Sequence, residues 1–452
     1  ACDGKCCQIA MKPISVERFN ALAGYIRSPW TSLSARELAW YEAGDERLLG
    51  VVSLDISDHD YVATVLARDA KKRFRAFALT INLETQDAAR EWLDERLNEL
   101  LAYPPEHFHQ GDEQGAVVDF FAPVTDAARR HQHFEHLTTG DGYSPALGII
   151  RELMHYFDDA DGNFVEQFQT TAFDARLWEL YLYALFTEIG YGLDKTHPAP
   201  DFHCVGLLGD FFVEATTVNP SDEVPTVDLE NENAYYDGYV PRKFGSALFS
   251  KIKKKYWELP HVSASPLVLA VQDFHAPGSM VWSNTGLVQY LYGIRQEVST
   301  DANGKPTIVT ERIEHHVWNG KEVPSNFFAQ PDSEHISAVI ANPSGTLSKF
   351  NRMGFLAGFG RRPLGIVRGG FAYQGELWPT KFAAQVHAPD YRERWVQGLS
   401  VYHNPNAKIP LPETTFPGAA HHISRGNKIV AHIPTFFPLG SQDYIVVPTK
   451  DV

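Results

Sequence analysis

From residue 11 onward, apolar positions recur at helical spacing over 16–26 and 35–41. They then alternate with polar positions over 48–54, 61–66 and 74–81, the period of two expected of strands. Residues 87–101 return to a helical period, with Ala88, Trp92, Leu93, Leu97 and Leu100 on one stripe. The pattern predicts an N-terminal α+β domain over 11–103. Residues 104–145 are polar and rich in Pro, Gly and His, broken by one apolar stretch at 117–121, and read as a connector. A second unit over 146–279 opens with helical runs at 146–157 and 173–189. Two strands around a glycine-containing turn follow, then a basic helix at 242–257 and a strand at 266–273. From 280 to 452 the signals are short strands, such as 335–341 and 429–433, among many Gly, Pro and aromatic residues. That strand-rich C-terminal region is either a third domain or an elaboration of the second. The expectation is a multidomain chain of mixed α+β and α/β class, and the length of 452 residues agrees with it.

Composition narrows the function classes. With 44% hydrophobic and 21% charged residues the chain is globular in type, and no apolar run is long enough to cross a bilayer. The formal net charge of -16 is opposite to the field of a protein that coats nucleic acid. A nucleic-acid substrate would therefore need a local basic surface and bound cations. Three of the four cysteines, Cys2, Cys6 and Cys7, precede Met11 in a segment that reads as a leader ahead of the fold. They lack zinc-site spacing, and the leader lacks the apolar stretch of a secretory signal. Cys204 alone remains in the body, so no disulfide framework is available and a reducing, cytoplasmic setting is expected.

The informative chemistry lies in the second unit. Glu179 is the only charge between Arg176 and Thr187 in an apolar helical run, and a buried carboxylate there needs a cation or a donor. The plain reading is a helix-flank glutamate paired with an arginine. Asp201 opens the first strand of the hairpin, and Glu214 interrupts the otherwise apolar second strand. A hairpin of that length sets the two carboxylates side by side, where they repel unless a divalent cation lies between them. Oxygen ligands of this kind favour Mg²⁺ or Mn²⁺ over zinc.

A helix-borne glutamate, then Pro200-Asp201 at a strand start, Glu214-Ala215-Thr216 on the next strand, a lysine-rich helix and a further strand together resemble the PD-(D/E)XK nuclease superfamily. The resemblance spans roughly 130 residues. It implies a restriction-endonuclease-like αβββαβ core, with Asp201, Glu214 and Glu179 as the metal-holding carboxylates. Thr216 stands where the superfamily carries its lysine, and a neutral hydroxyl cannot replace that charge. Some members appear to supply the lysine from a neighbouring helix. Here Lys251 borders the expected core stripe of Phe244, Leu248, Ile252 and Tyr256 and is the candidate, with Lys243 in reserve. Arg242, Lys243, Lys253, Lys254 and Lys255 would then contact the phosphate backbone, unless they form an ordinary solvated face. The implied protein is an Mg²⁺- or Mn²⁺-dependent endonuclease acting on nucleic acid, DNA before RNA, and compatible with a homodimer. The alternative is a nuclease-like module that binds nucleic acid or protein without cutting.

Other signals carry less. His131-Gln-His133-Phe-Glu-His136 has ligand-type residues but sits in the connector, and His315-His316 and His421-His422 lack placed partners. Lys349 and Arg352 beside Arg361 and Arg362 suggest a second basic patch. Asp158-Asp-Ala-Asp161-Gly162 reads as a solvated turn, since its glycine comes too early for a calcium loop. Gly358-Phe-Gly360 lacks the residues of a nucleotide loop.

Overall fold

The computed structural model describes residues 11–448 apart from 158, 160, 161, 221–234, 277 and 303. The leader cysteines and the expected turn at Asp158 and Asp161 lie outside the described residues. The N-terminal unit is a five-stranded antiparallel sheet of Lys12–Ile14, Ala35–Ala43, Leu48–Asp55, Tyr61–Arg68 and Phe74–Leu83, paired in chain order. The helix Gln86–Leu100, capped by Thr85, packs Ala89, Leu93 and Leu97 onto it. The stretch 35–41, expected as helix, is strand. Its Ala, Glu and Leu favour helix locally, but the segment is hydrogen-bonded on both edges, to Lys12–Ile14 and Leu48–Asp55. Pairing of that kind outweighs a propensity worth tenths of a kcal/mol per residue. The Tyr156 hydroxyl fastens this unit to the centre of the molecule, donating to Leu22 O at 2.7 Å and accepting from Phe74 N at 2.8 Å.

The centre is an eight-stranded mixed sheet. Its spatial order is Lys428–His432, Ala420–Arg425, Ser400–His403, Ala338–Ala341, Leu267–Asp273, Phe211–Val218, Phe202–Val205 and Gly192–Asp194. The first three strands in sequence form an antiparallel meander. The chain then crosses through the helix Val240–Ile252 to Leu267–Asp273, which pairs parallel to Phe211–Val218. With the helix Phe173–Glu188 in front, the element order is αβββαβ.

Alternation along each strand divides the core in two. Phe211, Val213, Ala215, Val268 and Ala270 face the helix Phe173–Glu188. Phe212, Leu267, Leu269 and Val271 face the helices Val240–Ile252 and Met280–Tyr292. Coverage on both faces explains why Leu267–Asp273 is buried at every position and reads as a continuous apolar run.

The sheet continues past residue 280, because four of its strands come from the C-terminal region. That region is therefore joined to the second unit through backbone pairing, with a three-stranded sheet of Gly365–Gln374, Thr380–Gln385 and Phe436–Val446 beside it. The expected connector is only partly irregular: Gln132–Thr139 is helical, and Phe120, Phe134 and Leu137 enter the main core. Lys349 and Arg352 do not make a basic patch. Both are buried around Glu393, at 2.9 Å from Lys349 and 2.8 Å from Arg352, and Arg352 also reaches Asp443 at 2.8 Å. Although Glu393 is buried, Arg352, Arg368 and Lys349 hold its carboxyl well below the ordinary value. Among the described residues no helix is long and apolar enough to cross a membrane.

Candidate active site

The hairpin register pairs Phe202 with Val213 and His203 with Phe212. One step further back, Asp201 comes opposite Glu214, as the strand lengths predicted. Asp201 Oδ2 accepts a hydrogen bond from Ala215 N at 2.7 Å, which ties the loop carboxylate to the strand that carries the second one. Glu214 shares its face with Phe212, so it points toward the helix Val240–Ile252. Its side chain is 5% exposed. From that helix Lys251 places Nζ 2.5 Å from Glu214 Oε1, and the Tyr256 hydroxyl donates to the same oxygen at 2.7 Å.

Glu179 takes the plain role of a glutamate paired with an arginine. Its two oxygens each accept from Arg176 Nη1 at 2.8 Å, and Gln167 steadies the guanidinium by accepting from Nε at 2.8 Å. The same glutamate lies in the field of Lys251 and Glu214. Burial raises its carboxyl, Arg176 and Lys251 oppose that, and the charge on Glu214 adds to it. Asp201 responds more strongly. Burial first, then the charges on Glu214 and Glu179, push its carboxyl up to about 8, against the pull of Ala215 N–H and Lys251. The residue stands exposed at the mouth of the cluster, so solvent screens part of this effect and its upward direction carries the argument. Three carboxylates thus share the charges of Arg176 and Lys251, leaving one negative charge in excess if all ionise. Among the described residues, Asp201 Oδ1 and Glu214 Oε2 accept no hydrogen bond and are free to face a cation. Both are oxygen donors of the type a hard divalent ion takes.

Thr216 lies on the same strand face as Glu214, half-buried and opposite Val271 in the register, and brings no charge. The basic helix is shorter than expected. It ends at Ile252, and Lys255 turns into the left-handed region at φ 51°, so Lys253, Lys254 and Lys255 form an exposed turn. Lys255 lies 3.3 Å from Glu258, and Lys253 stands over the Phe249 ring at 5.2 Å. Lys243 is drawn to Asn219 O at 2.7 Å and Arg242 is half-buried, so both lie outside the carboxylate cluster.

Tyr256 was placed by sequence in the apolar stripe. Its ring is partly buried there, but its hydroxyl serves Glu214. Burial and the charge on Glu214 raise the phenol well above its ordinary value, so it stays a donor. It lies beyond the helix end, and the pattern that set its ring in the stripe gave no sign of the hydroxyl's partner, Glu214.

A cavity of about 630 Å³ opens at the far end of the helix Phe173–Glu188, lined by Tyr25, Glu188 and Trp395, and does not include Asp201 or Glu214. No known protein family, curated protein or solved structure matches this chain.

Proposed function

We propose that this protein is a divalent-metal-dependent nuclease of the PD-(D/E)XK kind that hydrolyses phosphodiester bonds, in DNA before RNA. The observation that carries the reading is Lys251. It reaches from a neighbouring helix into the carboxylate cluster and contacts Glu214 at 2.5 Å, supplying the cation that Thr216 lacks. In this reading Asp201 and Glu214 hold Mg²⁺ or Mn²⁺, which when bound polarises the attacking water and offsets charge on the phosphorus centre. Lys251 adds positive charge beside the reacting phosphate, and Tyr256 fixes the Glu214 oxygen that does not face the cation. Glu179, already paired with Arg176, supports the cluster from the opposite helix and tunes Asp201. The exposed turn of Lys253, Lys254 and Lys255, with Arg242 and Lys243 on the preceding helix, supplies the local basic surface that the net charge of -16 otherwise denies. The alternative of a binding-only module rests on Thr216 and on the net charge of -16, and Lys251 beside Glu214 argues against it.

The test is cleavage of circular and linear DNA, with RNA in parallel, with and without Mg²⁺ or Mn²⁺. Native protein should cut only with metal, and Asp201→Ala and Glu214→Ala should not cut. No cutting of any substrate by native protein under these conditions would overturn the proposal.

A further inference from the structure

The connector contains a second constellation of ligand-type side chains, separate from the carboxylate cluster. His131, His133 and Asp174 offer one ligand atom each, all within 4.8 Å of one another and all half-buried, open enough for an ion to enter. His131 caps the helix Gln132–Thr139, accepting from His133 N at 3.3 Å, and its ring stacks on Phe173 at 5.4 Å. His133 Nδ1 lies 3.4 Å from Asp174 Oδ1. Asp174 stands in the first turn of the helix Phe173–Glu188. His136, one helical turn beyond His133, has its ring centre 6.5 Å away and is exposed.

We infer that His131, His133 and Asp174 form a transition-metal site, of zinc type, that clamps the connector helix to the N-terminus of the helix carrying Glu179. Two imidazoles and one carboxylate suit zinc, which takes His nitrogen and Asp oxygen in a four-coordinate shell. The same set disfavours Mg²⁺, which demands oxygen ligands in an octahedron. The fourth position falls to water or to His136. A zinc shell is tighter than the spacing seen here, and the contraction needed is within reach of side-chain rotation, since the three residues sit at the ends of two helices. Asp174 and Glu179 lie on one helix, about 7.5 Å apart along its axis at 1.5 Å per residue. The clamp would therefore fix the helix that supports the carboxylate cluster without entering that cluster. This site stands whether or not the chain cuts nucleic acid.

The experiment is zinc binding to the full chain after chelator treatment, by calorimetry in excess Mg²⁺, with thermal unfolding alongside. One zinc per chain is expected, bound despite Mg²⁺ and raising the melting temperature by mass action. His133→Gln and Asp174→Asn should each weaken zinc binding at least about tenfold, no less than the loss of a mere supporting partner costs a metal site. The Asp201→Asn, Glu214→Gln double variant should keep the site. His133 is nearly half exposed, so its replacement should leave the far-ultraviolet circular dichroism unchanged. Absence of zinc binding would overturn the inference. So would native-like binding in both His133→Gln and Asp174→Asn, or loss of binding only in the Asp201, Glu214 double variant.

Discussion

Replacing Lys251 by Met keeps the length of the side chain and removes its charge, leaving Glu214 buried with, among the described residues, only the Tyr256 hydroxyl as donor. Breaking a buried pair by removing one partner typically costs about 3–5 kcal/mol. Lys251 keeps 24% of its side-chain surface, so water recovers part of the interaction. The expected loss is therefore about 3 kcal/mol at pH 7, near the lower end of that range. Urea unfolding at pH 7, followed by tryptophan fluorescence, measures the loss. Adding Glu214→Gln should restore most of the stability, since removing both partners is far milder than orphaning one. A loss below about 1 kcal/mol at pH 7 would refute the reasoning that the buried Glu214 depends on Lys251.

Asp201 gives a pH prediction. Its folded value lies above its unfolded value, so the charged form is disfavoured in the fold, and stability attributable to it is present at low pH and lost as pH rises from about 4 toward about 8. Asp201→Asn should therefore unfold at the same urea midpoint as native protein near pH 4 and at a higher one above pH 8. Because the metal needs the ionised carboxylate, Mg²⁺ affinity measured by calorimetry should rise with pH through the same window in native protein only. Tyr256→Phe removes a hydroxyl bonded to a charged oxygen and should cost about 1.5 kcal/mol in urea unfolding while the fold is retained. Arg352→Leu strips the main partner from the fully buried Glu393 and should cost about 4 kcal/mol, read as a lowered unfolding midpoint or loss of soluble protein.

How much of this was legible in the chain follows from how local each feature is. The hairpin that sets Asp201 opposite Glu214 and the position of Lys251 beside an apolar stripe come from periodicity over short windows, whereas the remaining strand of the αβββαβ order, Gly192–Asp194, was implied only by the resemblance and is too short to show a period. The strand Ala35–Ala43 was misread because its helix-favouring composition is outvoted by pairing with strands on either side. The continuation of the central sheet into Ala338–Ala341 and Ser400–His403 left no signal, since Ala338 pairs with Val268 and with His403, and partners so distant in the chain impose no local pattern. For the same reason Lys349 and Arg352 resembled surface charges: their partners, Glu393 and Asp443, lie over forty residues away. Tyr256 and Asp174 were missed in the same way. The first acts across a helix end, and the second meets its histidines only because two helices pack at their termini.

The central claim concerns what the carboxylate cluster does, and nicking of supercoiled DNA tests it most directly. Native protein and Asp201→Asn would be compared in Mg²⁺ and in chelator under single-turnover conditions. The account predicts metal-dependent nicking by the native protein, reduced at least about a hundredfold in Asp201→Asn. Equal nicking by the two proteins, or nicking that persists in chelator, would contradict it.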